Sequence, residues 1–137
     1  MVISAAAIAD YRPARVALQK IKKQEGNFSI ELTRNPDILA GLSQQKGNRL
    51  LIGFATETEN VLQNAVRKLQ KKNLDMIVAN DVTQEGAGFA HDTNIVTLID
   101  RSERIETLPL MSKDAVAHTV YDRLLALRKG NGEAEKR

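Results

Sequence analysis

The sequence predicts an α/β fold, in which a mostly parallel sheet carries helices on both faces and ends in an antiparallel hairpin. Three short apolar runs, Val2–Ser4, Leu50–Phe54 and Met76–Ala79, have the composition of strands that are buried on both faces. Stretches with apolar residues at helical spacing lie between these runs, as in a chain that alternates strands with crossover helices. Each run leads into small or polar residues, at the edge where open α/β sheets bind their ligands.

The segments before the second buried strand supply one short strand and one helix. We expect Tyr11–Gln24 to be a loop, because a proline near its start removes a backbone donor and restricts the preceding residue. Phe28–Thr33 alternates apolar and polar side chains, which predicts a half-exposed strand. Asn35 followed by Pro36 indicates a helix start, and this helix is predicted to end near Gly47.

The second half of the chain continues the same alternation. Thr56 and Glu59 have the spacing of a capping box, which predicts a helix with one apolar face after the second buried strand. Asn94–Asp100 and Arg104–Leu108 have the alternation of paired strands and are predicted to form an antiparallel edge. The resulting order of strands and helices is that of a Rossmann-like domain.

The last helix is predicted to begin at Ser112, which can cap it, and to end at Gly130. The polar residues 131–137 are predicted to form a disordered tail. A length of 137 residues fits a single domain with a real core, so residues 1–130 are interpreted as one folded unit.

The composition excludes several classes of function. The chain has no cysteine, which rules out disulfides and thiolate chemistry, and its two histidines, His91 and His118, lack the spacing of a zinc site. The net charge of +3 and the absence of tryptophan argue against a nucleic-acid-binding surface. Neither a membrane-spanning run nor a signal peptide is visible, so we expect a cytoplasmic protein without a membrane partner.

Positive charge is concentrated in the predicted loop near the N-terminus. Five basic residues and no acidic one lie between Tyr11 and Gln24, and three of the five are Lys20, Lys22 and Lys23. Such a loop raises the local concentration of an anionic ligand and can close over it. The alternative is a solvated charged loop with no ligand.

Further candidate residues lie on the second helix and just beyond the strands. Lys68 and Lys72 are four residues apart and share a helix face, where they either bind phosphate or form a solvated helix end. Asp10 and Asp81 follow strands, where a carboxylate either holds magnesium or a ribose hydroxyl, or serves as a turn residue. No glycine-rich phosphate loop is present, so lysines are the expected phosphate ligands.

Two uncharged side chains at strand ends allow the same pair of interpretations. Phe54 either stacks on a ligand base or belongs to the core. Asn80 either contacts a ligand or ties down the loop that follows its strand.

Taken in order, a series of short motifs resembles the synthetase half of the bifunctional phosphopantothenoylcysteine decarboxylase/phosphopantothenate–cysteine ligase of coenzyme A biosynthesis. The resemblance extends from Val2 to Arg128. The motifs are Ser4–Pro13, Lys20–Lys23, Asn35–Leu39, Gly53–Thr58, Lys72–Asp75, Ala79–Val82, Gly88-Phe89 and Asp92-x-Asn94.

The resemblance implies a reaction and its substrates. A synthetase of this family uses CTP and Mg²⁺ to convert 4′-phosphopantothenate to an acyl-cytidylate, and cysteine then forms the amide and releases CMP. FMN belongs only to the decarboxylase half, which is absent here. The family also implies a homodimer formed through the synthetase domain.

The resemblance further implies roles for individual residues. Lys20 is expected to be the catalytic lysine of the cysteine-attack step and to lie on a flap, while Lys68 and Lys72 are expected at the triphosphate. Phe54 is expected beside the nucleotide. The remaining nucleotide-binding positions are Ser4, Ala5, Ala6, Asp10, Pro36, Asp37, Ile38 and Leu39.

One departure from the family pattern affects the expected activity. The family domain begins with a further strand, a glycine-rich turn and a helix, and this N-terminal part of the domain is absent from the chain. We therefore expect the chain alone to be inactive while still binding nucleotide. A nucleotide-binding module without turnover is the alternative function, and a nucleic-acid-binding domain is the least favoured.

Overall fold

The computed structural model describes residues 1–23, 25–84, 86 and 91–134, so the Gly88-Phe89 motif lies outside the described residues. The elements in chain order are β1 (Val2–Ser4), β2 (Tyr11–Pro13), β3 (Leu32–Arg34), α1 (Ile38–Gln44), β4 (Leu51–Glu57), α2 (Val61–Lys71), β5 (Met76–Asp81), β6 (Thr93–Asn94), β7 (Val96–Asp100), β8 (Ile105–Thr107), β9 (Met111–Ser112) and α3 (Lys113–Ala134).

The predicted α/β fold is confirmed by a central sheet with the order β1-β4-β5-β7-β8. Strands β1, β4 and β5 are parallel, while β7 is antiparallel to β5 and β8 is antiparallel to β7. The sheet therefore has a parallel half, as expected from the crossover helices, and an antiparallel half that ends in the predicted hairpin. Two smaller pairs, β2–β3 and β6–β9, lie outside this sheet.

Helices cover both faces of the central sheet, because successive side chains of each strand point to opposite sides. On one face α3 packs onto the sheet, and on the other α2 is joined by half-buried leucines of α1. The α3 side is built from Ile52, Met76, Val78, Leu98, Val116, Val120 and Leu124. The α2 side is built from Leu51, Ala65, Leu69, Leu74, Ile77 and Ile99. The described part of the chain contains no helix long and apolar enough to cross a membrane.

The structure corrects the expected loop near the N-terminus. Tyr11–Pro13 forms β2, and only Leu32–Arg34 of the second segment forms a strand, which pairs with it. The cause is a set of contacts between distant residues: the Arg12 guanidinium donates to the Arg34 carbonyl at 3.0 Å and to the Asn35 amide oxygen at 2.8 Å. The β2–β3 pair and the described residues between its strands, 14–23 and 25–31, are called the arm below, and its two strands form a sheet separate from the central one.

Both predicted helix starts in the first half are also wrong in detail. The N-cap of α1 is Asp37, whose carboxylate accepts from the Ala40 N–H at 3.0 Å, and the helix ends at Gln44 rather than near Gly47. The expected capping box does not form, because Thr56 remains in β4, where it pairs in register with a residue of β5. Helix α2 instead begins after Asn60, a left-handed residue with φ of 47° and no side-chain cap.

The predicted cap of the last helix is confirmed, whereas its predicted end is wrong. The Ser112 hydroxyl accepts from the Ala115 N–H at 3.1 Å. Helix α3 continues through Gly130 to Ala134, so residues 131–134 are helical rather than part of a disordered tail. Residues 135–137 lie outside the described chain.

Gly53 lets α1 and the segment before β5 approach β4 closely. A methyl group at this position would lie 2.9 Å from Leu74 Cδ1 and 3.1 Å from Leu39 Cδ2. Leu74 is fully buried, so it has little room to move away. Glycine is therefore required here for packing.

We expect Gly53→Ala to lower the free energy of unfolding by about 1–3 kcal/mol, the usual effect of overpacking a core. Gly41→Ala is a matched control, because it makes the same change in mid-helix where no atom lies within 4 Å of the new methyl group. That control is expected to stabilise the protein by up to about 1 kcal/mol through helix propensity. Urea unfolding of both variants checks the pair. Equal effects of the two substitutions would contradict the packing role of Gly53.

Candidate functional site

A cleft of about 160 Å³ lies at the carboxyl ends of β1 and β4, against the start of α1. This is the edge at which open α/β sheets bind their ligands. Most of the residues expected at the nucleotide are brought together here. The lining residues are Ser4, Ala6, Ile8, Ala9, Asp10, Asn35, Pro36, Asp37, Ile38, Leu39, Phe54 and Lys72.

The segment after β1 is held against the start of α1 by Asn35. Its side-chain amide donates to the Ala9 carbonyl at 2.7 Å, and its backbone N–H donates to the Asp10 carbonyl at 2.8 Å. The predicted N-cap residue therefore joins two walls of the cleft instead of capping a helix. A local sequence pattern does not contain this information, because the partners are 25 or more residues away.

Asp37 and Lys72 form an ion pair at the edge of the cleft. The Lys72 ammonium lies 3.0 Å from Asp37 Oδ2 and 3.3 Å from Oδ1. The Ala40 N–H is the main cause of a lowered pKa for Asp37. Burial acts in the opposite direction, and the Lys72 ammonium lowers that pKa further. Asp37 is thus a charged carboxylate that caps α1 and holds Lys72 at the cleft.

Lys68 does not line the cleft. Its ammonium lies 2.6 Å from Glu57 Oε1, at the carboxyl end of β4. The other oxygen of Glu57 accepts from the Asn64 amide at 3.2 Å. Each of the two lysines expected at a triphosphate is therefore paired with a carboxylate, and the pairing of Lys68 with Glu57 was not predicted from the sequence.

Lys20 is not brought to the cleft either. It lies between β2 and β3 on the arm and is exposed, as are Lys22 and Lys23. The arm also exposes apolar side chains at unusual density. These exposed side chains are Tyr11, Val16, Leu18, Ile21, Phe28, Ile30 and Leu32.

A second cleft, of about 270 Å³, lies on the other side of Phe54, between the sheet and the start of α3. Phe54 is 39% exposed and borders both clefts, so it is not a core residue. Ala5 lines this second cleft rather than the first. Its polar lining comes from Thr56, Asn80, Asn94 and Lys113.

Asn80 carries an unsatisfied polar atom in this second cleft. Its Oδ1 is buried and has no hydrogen-bond partner among the described residues. Buried polar atoms are normally paired, so this acceptor is available to a donor that enters the cleft. In the sequence, the feature that singled out Asn80 is its position directly after the four buried apolar residues Met76–Ala79.

The two aspartates at strand ends differ in their surroundings. Asp81 accepts from the Thr83 hydroxyl at 2.6 Å, from the Thr83 N–H at 3.0 Å and from the Gln84 amide at 2.9 Å. The Thr83 hydroxyl is the main cause of the lowered pKa of Asp81. Asp81 is therefore a turn residue, whereas Asp10 is exposed and lines the first cleft. The described residues contain no cluster of three or more metal-ligating side chains.

Residues 1–127 match the family model described as the DNA/pantothenate metabolism flavoprotein C-terminal domain. The chain belongs to this family.

Two known proteins are similar to this chain in sequence or structure. The coenzyme A biosynthesis bifunctional protein CoaBC of Bacillus subtilis (strain 168) is 46% identical over 133 residues, which are 97% of this chain and 33% of that protein. A crystal structure of the C-terminal domain of a CoaBC protein has a TM-score of 0.73 at 38% identity, covering 93% of this chain and 54% of that one. The chain thus spans about a third of its curated relative.

A more distant structure supports the fold alone. The Cab2 mutant H337A in complex with phosphopantothenate-cysteine has a TM-score of 0.76 at 18% identity. It covers 97% of this chain and 45% of that one.

The pKa of Asp37 yields a test of the charge arrangement at the first cleft. The pKa of Asp37 is lower in the folded chain than in the unfolded chain. The stability that the Asp37 carboxylate contributes is therefore complete above the unfolded pKa of about 3.9, and it is lost as the pH falls through the folded pKa. Carboxyl-carbon NMR is expected to show a midpoint below about 3.9. In Lys72→Met the midpoint is expected to rise only part of the way, since the Ala40 N–H remains. Lys71→Met is the control and is expected to leave the Asp37 midpoint unchanged. An Asp37 midpoint that is also unchanged in Lys72→Met would contradict the ion pair.

Proposed function

We propose that this chain carries the phosphopantothenate–cysteine ligase function of coenzyme A biosynthesis. In the first step, CTP would activate 4′-phosphopantothenate: its carboxylate attacks the α-phosphorus, and pyrophosphate leaves. In the second step, the amine of cysteine attacks the acyl carbon, and CMP leaves as the amide forms. The observation that carries the proposal is the convergence of the expected nucleotide residues on one cleft at the carboxyl edge of the sheet, in a chain of this family.

The nucleotide is proposed to occupy the first cleft. Its cytosine would face Pro36–Leu39 at the start of α1. We expect the space beside this wall of the cleft to suit a pyrimidine better than a purine. Lys72 would meet the triphosphate from the cleft edge, and Lys68 from the neighbouring position beside Glu57. Each ammonium would exchange its carboxylate for phosphate oxygens, which bind such groups through charge-assisted hydrogen bonds.

The acid substrate is proposed to enter the second cleft. Phe54 borders both clefts, so a carboxylate in one would approach the α-phosphate of a nucleotide in the other near this ring. The unpaired Oδ1 of Asn80 is an acceptor for an amide N–H, and a pantothenate chain contains such a group. Lys113 supplies positive charge at the same cleft.

Magnesium is proposed to arrive with the nucleotide as part of the substrate. The described residues offer no cage of carboxylates for it, and Asp81 already accepts three hydrogen bonds within its turn. Mg²⁺ commonly binds substrate phosphates and water with few protein ligands, so this environment fits a magnesium–CTP complex. The ion would neutralise charge on the phosphates.

A homodimer is proposed through the arm. The expectation that β7 and β8 are edge strands needs correction for β7. Strand β7 pairs on both sides, with β5 and β8, so of these two strands β8 alone lies at an edge of the sheet. The arm instead presents exposed Leu18, Phe28 and Ile30, a concentration of apolar surface that typically marks an interface. Two arms in contact would also determine where each Lys20 lies.

The alternative function, nucleotide binding without turnover, is favoured by one observation. Lys20 is exposed on the arm and lines neither cleft, so the group expected in the second step is not at the reaction centre. Closure of the arm over the bound acyl-cytidylate would be required for catalysis.

The nucleotide proposal predicts that CTP with magnesium binds more tightly than ATP or GTP. The expected cause is the fit of a pyrimidine, and not of a purine, between the start of α1 and Phe54. Calorimetric titration of the chain with each nucleotide measures the difference. A short oligonucleotide serves as the control for non-specific attraction to the basic residues. Equal affinity for the three nucleotides would rule out the cytidine assignment.

The role of Lys20 predicts a separation of the two steps. Lys20→Gln, made in the complete gene product, is expected to release pyrophosphate and accumulate the acyl-cytidylate while forming little amide. Lys22→Gln and Lys23→Gln are matched controls on the same loop and are expected to have milder effects. Pyrophosphate release and amide formation are followed separately with cysteine present. Normal amide formation by Lys20→Gln would remove this lysine from the mechanism.

A further inference from the structure

Helix α1 supplies one wall of the first cleft, yet it has little intrinsic stability of its own. It contains seven residues, none of which is fully buried, and isolated helices of this length are unstable in water. Leu39 and Leu42 pack against the core only in part. The position of the wall therefore depends on contacts that hold α1 from outside.

A single short segment, Lys72–Asp75, holds both ends of α1. At the start of the helix, Lys72 pairs with the N-cap carboxylate of Asp37. Just past the end of the helix, the Lys46 ammonium lies 2.7 Å from Asp75 Oδ2 and donates to the Asn73 carbonyl at 3.0 Å. The side chains of Lys46 and Asp75 are only 10% and 9% exposed, so their ion pair is buried.

Asp75 in turn is fixed to β4, the strand that carries Phe54. Asp75 Oδ2 accepts from the Leu51 N–H at 2.7 Å, and the Asp75 N–H donates to the Leu51 carbonyl at 2.8 Å. The path from Lys46 through Asp75 to β4 therefore fixes the distance between the two walls of the cleft, which are the start of α1 and Phe54.

We propose that Lys46 and Asp75 are positioning residues that determine nucleotide selectivity. The inference rests on the proposed function, since it concerns how the same cleft selects its base. Neither Lys46 nor Asp75 lines the cleft, so we do not expect either residue to contact the nucleotide. They act through α1. With the Lys46–Asp75 ion pair intact, the cleft has a width that admits a pyrimidine but not a purine. Without the ion pair, α1 moves and the cleft also admits purines.

The test removes both charges together, because loss of one partner of a buried ion pair is strongly destabilising. Without Asp75 the buried Lys46 ammonium has no carboxylate partner among the described residues, and without Lys46 the carboxylate keeps only the exposed Arg101 guanidinium, 3.9 Å from its Oδ1. The double variant Lys46→Met with Asp75→Asn keeps an acceptor for the Leu51 N–H while it eliminates the ion pair. Lys71→Met is the matched control, since it makes the same change at an exposed lysine of α2. Lys46→Arg preserves the positive charge and is the rescue variant. Each protein is titrated calorimetrically with magnesium–CTP and magnesium–ATP, and amide exchange of α1 is measured without nucleotide.

In the double variant we expect CTP affinity to fall by about tenfold, a loss of about 1.4 kcal/mol, while ATP affinity changes little, so that selectivity collapses. Faster exchange of the α1 amides is expected in the same variant. Lys71→Met is expected to match the wild type, and Lys46→Arg to retain most of the selectivity. A folded double variant that keeps both its preference for CTP and its α1 protection would overturn this inference alone. A wild-type protein without any preference for CTP would overturn the proposed function and this inference with it.

Discussion

The buried carboxylate of Asp75 is the interaction on which the rest of the structure depends. It is 7% exposed, and a charge in such an environment is unfavourable by several kcal/mol unless strong partners compensate for the lost water. The compensation comes mainly from the Leu51 N–H and the Lys46 ammonium, both 2.7 Å from Oδ2, and the Arg101 guanidinium lies 3.9 Å from Oδ1. The backbone carbonyl of Asp75 also accepts from Arg101 at 3.0 Å, at the turn between β7 and β8. One residue thus connects β4, the end of α1 and the antiparallel half of the sheet.

This contact lies at the amino edge of the parallel strands, whereas both clefts lie at the carboxyl edge. The register that begins at Ile52 and Met76 pairs Thr56 with Asn80 at the opposite end of β4 and β5. A slip of one residue would turn every side chain to the other face and remove Asn80 from its cleft. The polar groups at the amino edge therefore maintain the geometry of the opposite edge, where both clefts lie.

The sequence predicted those features that depend on local or periodic signals. The buried strands β4 and β5 and the Ser112 cap were recognisable because burial on both faces and helix capping leave patterns within a few residues. The prediction of burial was wrong for β1, which lies at the edge of the sheet and leaves Ile3 43% exposed. The β2–β3 arm, the Asn35 contacts and the Glu57–Lys68 pair were not, since each joins residues that are distant in the chain. The helix end expected at Gly130 failed because glycine only weakens a helix, by about 1 kcal/mol relative to alanine. The convergence of the expected nucleotide residues followed from the resemblance to a family, which carries this long-range information.

The reversal of chain direction after β5 has a consequence for how the site forms. Because β7 runs antiparallel to β5, the chain returns to the carboxyl edge, and the start of α3 closes the second cleft opposite Ala5. That cleft is thus bounded by residues from both ends of the sequence, such as Ala5 and Ala117. Contacts of such high sequence separation carry a larger entropic cost of loop closure than contacts between neighbouring elements. We therefore expect the second cleft to be completed late in folding, after the parallel strands and α3 have come together.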